Sequence, residues 1–144
     1  MQFKSAALFL SAFPAAMAIL PPTLELLVFQ NGQRIGCVDI NGKFVTNART
    51  CFPFRTLDIP GSDNKHLWTV YGDRCSAGSG VLECYETDGE PSEFTLNGAD
   101  LDLVGAGTAF SASSIPPPDS GGADIIVGDS GGEKFFLQVR AVSG

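Results

Sequence analysis

Ser130 sits in Gly128-Asp129-Ser130-Gly131-Gly132, with His66 upstream of it. A serine beside aspartate and glycine, with a histidine available as base, is the raw material of nucleophilic acyl transfer. That chemistry also needs the histidine oriented by a buried aspartate and two donors for the oxyanion. Lys65-His66-Leu67-Trp68 offers no such context, and Asp-Ser-Gly-Gly occurs twice, at Asp119–Gly122 and Asp129–Gly132, which is the mark of reused turn chemistry. His66-Leu67-Trp68 raises a second idea, acid–base cleavage of a phosphodiester. One group must take a proton while another gives one, and His66 is the only histidine. No catalytic residue is assigned on either count.

Glu83, Glu86, Asp88 and Glu93 could supply the carboxylate pair of a glycoside hydrolase, which acts through two acids at a defined separation across a cleft. Their bland reading is a set of exposed loop charges. No D-x-D-x-D-G loop is present for calcium, and the cysteines lack a C-x-x-C knuckle for zinc, so no metal and no cofactor is assigned. Trp68, Tyr71 and Tyr85 are the candidate ligand face, because aromatic rings stack on sugars. Tyr71 and Tyr85 flank the second cysteine pair and are the better candidates for exposure, whereas Trp68 and the phenylalanines favour the core.

Residues 1–18 read as an export signal, with Lys4 as the positive flank, Ala6–Phe13 as the apolar run and Ala16-Met17-Ala18 as the cleavage site. The domain is then residues 19–144, enough for one core. No later stretch has the roughly 20 apolar residues of a membrane-spanning helix, so after signal removal a secreted monomer without membrane attachment is expected. An oxidising destination favours bridging of Cys37, Cys51, Cys75 and Cys84. Four cysteines allow three pairings, which sequence alone does not decide. Cys37 with Cys51 and Cys75 with Cys84 is favoured, since each pair brackets an apparent hairpin. From Cys75 to Glu133 the chain has acidic residues and no lysine or arginine, within a net charge of −7. Such a surface repels phosphate, so nucleic acid is not an expected partner.

The elements that must carry these residues are short β-prone runs. They span Leu24–Phe29, Gln33–Val38, Lys43–Thr46, Thr50–Arg55, Leu67–Tyr71, Val81–Tyr85, Glu93–Leu96, Asp100–Val104, Thr108–Ser111, Asp124–Val127 and Lys134–Val142. Asn31-Gly32, Asn41-Gly42 and Asn97-Gly98 punctuate them as tight turns, since both residue types tolerate positive φ. In the last run Phe135, Leu137 and Val139 alternate with Phe136, Gln138 and Arg140, the period of a half-buried strand. Ile115-Pro116-Pro117-Pro118 can extend neither a ladder nor a helix and reads as a connector. The pattern predicts an all-β fold, a small antiparallel β-sandwich or barrel stapled by disulfides.

Gly36-Cys37, Gly42-Lys43-Phe44, Thr50-Cys51-Phe52, Trp68-Thr69-Val70, Arg74-Cys75 and Gly80-Val81-Leu82-Glu83-Cys84 follow one another in a characteristic order. With Glu93–Gly98, Thr108–Ala112 and Lys134–Val139, this frame resembles the C-terminal domain of fungal ribonuclease T2-like proteins, over about Leu24 to Val142. The resemblance implies a secreted or vacuolar fungal protein and a small β domain. It implies no ribonuclease activity, because the module stands here without its catalytic domain. Phe44 replaces an expected tryptophan, Gly72-Asp73-Arg74 replaces a Lys-Gly-Pro, and Ile59–Asn64 is a lengthened connector, so no binding residue is carried over. The expected function is a non-catalytic binding module at a cell wall or host surface, its partner a cell-wall polysaccharide or a protein. The alternatives are a carboxylate-based glycoside hydrolase and a secreted effector that recognises a protein.

Overall fold

A computed structural model describes residues 19–47, 50–85 and 89–143. The expected signal at 1–18, together with Glu86 and Asp88, lies outside the described residues. The strands are β1 (Thr23–Gln30), β2 (Gln33–Val38), β3 (Phe44–Val45), β4 (Phe54–Asp58), β5 (Lys65–Trp68), β6 (Phe94–Asn97), β7 (Asp100–Leu103), β8 (Phe110–Ala112), β9 (Ile126–Val127) and β10 (Glu133–Ala141). All their pairings are antiparallel. Between sandwich and barrel, the structure decides for a barrel.

A central ribbon organises it. β1 and β10 pair from Leu24↔Ala141 to Phe29↔Phe136, and each is long enough to serve two neighbours along its other edge. β1 gives its first residues to β4 and its last to β2, while β10 pairs with β7 at Gln138 and with β8 at Glu133–Phe135. At one end β1, β4, β5, β6, β7 and β10 close into a six-stranded barrel. At the other a second ring of pairings runs from β10 through β1, β2 and β3 to Ala123, which exchanges hydrogen bonds with Phe44, and returns through β9 and β8. Closure removes the open edges that a small sheet would otherwise expose.

The sequence periods explain which faces are dry. Leu24, Leu26 and Val28 of β1 face Phe135 and Leu137 of β10 in one continuous core, joined there by Phe44, Phe54, Phe94, Phe110 and Leu101. Phe44 and Phe135 meet edge to face at 5.2 Å. The opposite face of β1 and β2 carries a small second cluster of Leu27, Cys37 and Val45. Cys51 closes over that cluster and is bonded to Cys37, while Cys75 is bonded to Cys84, the pairing favoured from the hairpin brackets.

Several expected strands shift or dissolve. Val81–Tyr85 forms no strand, because its amides go to separate partners: Leu82 donates to Ile125, Glu83 to Ser76 and Cys84 to Asn41. The Cys75–Cys84 hairpin is instead a strap that ties β5, through Cys75 N–H to Leu67 O, to the Ile125 segment of the second ring. The expected Leu67–Tyr71 strand ends at Trp68, where Gly72 N–H turns back onto Thr69 O, and Thr50–Arg55 begins only at Phe54. Asn31 and Gly32 both adopt positive φ as their turn requires, whereas at the other two Asn-Gly sites only the glycine does. Ser113–Gly122 is a connector without strand or helix.

Candidate functional site

The expected aromatic face divides. Leu67 of β5 points into the core, so the two-residue period turns Trp68 outward, where it is half-buried. Tyr71 rides the following turn and is 78% exposed, beside exposed Val70. Tyr85 stands elsewhere, past the strap, in a polar setting: its hydroxyl donates to Glu83 Oε2 at 3.0 Å. That bond holds the Tyr85 hydroxyl above its ordinary pKa, since losing the proton would place two anions together. Lys43 Nζ lies nearby, donating to Asp124 Oδ1 at 2.7 Å, and this partner raises the lysine's pKa. The ring contacts among the described residues, Phe44–Phe135 and Phe52–Phe54, include none of the three. Trp68 and Tyr71 thus share one end of β5, and Tyr85 belongs to a separate hydroxyl–carboxylate cluster.

The catalytic alternatives meet their chemistry in this geometry. His66 Nδ1 lies 3.0 Å from Ser92 O, and the Ser130 turn is pinned by Gly131 N–H to Ser111 Oγ, with no hydrogen bond linking histidine and serine. Glu83 is engaged by Tyr85, and Glu93 Oε1 accepts from Asn64 Nδ2 at 3.3 Å. Glu93 lines a concavity of about 450 Å³ with Ala77, Ser92, Leu103 and Val104, and it is the sole carboxylate among the described residues there. A hydrolase would need a second one facing it.

A groove that the sequence reading missed lies where β1 and β10 meet β8. Phe29 and Phe136 are direct cross-strand partners on the outward face of the ribbon, and Phe136 is 47% exposed. They line a groove of about 310 Å³ together with Gln30, Asn31, Asp129 and Lys134 and with the edges of the core at Ala109, Phe110 and Phe135. Gln30 Nε2 donates to Glu133 Oε1 and to Lys134 O, which ties the end of β1 to the start of β10, just after the loop carrying Asp129. The signal was present in the sequence: in Phe135-Phe136 a period of two must put one ring outside, and Phe29 falls in the same outward phase as Leu27. Aromatic residues combined with amide, carboxylate and ammonium side chains are the usual composition of a small-ligand or sugar site. Comparison of this chain with protein-family models, curated proteins and solved structures found no match.

Proposed function

We propose that this chain is a secreted, non-catalytic β domain of the kind attached to fungal ribonuclease T2-like proteins, and that it acts as a binding module for polysaccharide at a cell wall or host surface. The Phe29–Phe136 groove carries the reading. Exposed Phe136, with partly buried Phe29 as its cross-strand partner, offers apolar surface to the C–H faces of a sugar chain. Gln30, Asn31, Asp129 and Lys134 offer donors and acceptors to its hydroxyls. Two disulfides brace the fold and suit an oxidising compartment.

The test is retention of the purified protein on insoluble β-glucan and chitin, with reducing sugar measured in the same tubes. Retention without product is expected. Phe136→Ala, at an exposed position, should weaken retention about tenfold, as an aromatic contact worth about 1.4 kcal/mol would. Release of sugar that Glu93→Gln abolishes would replace this reading with the hydrolase.

A further inference from the structure

The outer face of β4 and β5 carries a row of side chains unlike the rest of this acidic protein. Arg55 of β4 is the direct partner of Trp68, and Trp68 is bridged on its other side to Arg74. Residues opposite one another in antiparallel strands project from the same face. The alternation agrees, because Phe54, Leu67 and Cys75, the neighbours of these three, are buried in the core. With strands about 4.8 Å apart, the two arginine Cα atoms lie about 10 Å from each other, with the indole between them. Both arginines are exposed, and neither guanidinium has an ion-pair or hydrogen-bond partner among the described residues.

The indole has a matching peculiarity. Its Nε1 is buried and has no hydrogen-bond partner among the described residues, so the exposed part of the ring is hydrocarbon. A buried orphan N–H destabilises the fold, and the fold retains it while turning the apolar part of the ring outward between two cations. Exposed Val70 and Tyr71 extend that apolar edge at the end of β5.

We infer that this row binds an acidic polysaccharide whose sugars carry carboxylates. One sugar ring stacks on Trp68, and carboxylates to either side meet Arg55 and Arg74. A guanidinium fork matches a carboxylate in bidentate geometry and binds it by charge-assisted hydrogen bonds. Charge density separates this ligand from a nucleic acid. A net charge of −7 opposes any polyanion, and it opposes a duplex, with one charge per about 1.7 Å, far more than a chain with one charge per sugar. The row is a different surface from the Phe29–Phe136 groove, and it does not depend on the groove's being occupied.

Affinity electrophoresis of the purified protein through gels containing polygalacturonate, with dextran gels as the neutral reference and poly(U) as the phosphate competitor, tests it. Polygalacturonate should retard the protein and dextran should not. Arg55→Gln/Arg74→Gln, which alters exposed side chains only, should weaken retardation at least tenfold, and each single change severalfold, with the melting temperature unchanged. Phe136→Ala should leave retardation as it was. Absence of retardation by polygalacturonate, full retardation of both single variants and the double variant, or preferential binding of poly(U) would each overturn the assignment. Loss in Phe136→Ala alone would move the ligand to the groove.

Discussion

Gly36 shows how tightly one residue can be specified. A Cβ there would lie 2.3 Å from Val45 O and 2.7 Å from the Phe44 ring, so the absence of a side chain is what lets Phe44 fill the core beneath β2. Gly36→Ala should therefore lower stability by about 1–3 kcal/mol, read as a lower denaturant midpoint with an unchanged slope. Asp100 is the opposite case, a residue held at some cost. Burial raises its pKa, and no side-chain hydrogen bond among the described residues offsets the effect. Because the folded-state pKa lies above the unfolded one, the folded protein binds this proton more tightly. Its contribution is most favourable below the ordinary carboxyl range and is lost as pH rises through the folded value. Asp100→Asn should accordingly melt above the wild type at pH 7, and the gap should close by about pH 3. None of this was legible in the sequence: Gly36 read only as part of Gly36-Cys37, and Asp100 as one acid among many.

At the scale of elements, the strap from Cys75 to Cys84 is the clearest departure from local expectation. Val81-Leu82-Glu83-Cys84-Tyr85 has strand composition, yet its amides serve three separate partners and form no ladder. What holds it is the bond across a sequence separation of 9, and in the chain-entropy model such a loop is worth about 2.5 kcal/mol. Replacing Cys75 and Cys84 by alanine should cost that amount. It should also speed hydrogen exchange at Ser76 and Glu83, whose two mutual backbone bonds depend on the strap's closure. The Cys37–Cys51 bond has a different neighbourhood. It fastens the segment before β4 to β2, where Phe52 N–H reaches Val38 O, and it covers Leu27 and Val45. The hairpin brackets were legible from spacing, because contacts between nearby residues are local. The strap's route was not, since Ile125 and Asn41 are remote from it in sequence.

For the whole molecule, the β1–β10 ribbon joins the first and last strands of the described residues and is shared by both rings. Leu137 lies at its centre, fully buried opposite Val28, so Leu137→Ala should destabilise by about 2–5 kcal/mol in equilibrium unfolding. Closing a ribbon between residues as remote as Leu24 and Ala141 requires a large loop to be ordered first, and refolding should take milliseconds to seconds in stopped-flow fluorescence of Trp68. The amino-acid sequence by itself determined the all-β class, the alternation of the last strand and the Asn31-Gly32 turn, and it favoured, without deciding, the cysteine pairs. These follow from the two-residue period of a strand, from which residues tolerate positive φ, and from short loops. Tertiary structure alone decided that the sheet closes, that Phe29 meets Phe136 and that Trp68 stands between Arg55 and Arg74. Those neighbours come from different strands, and their register is set by how all the apolar faces fit one interior, which no local stretch of chain encodes.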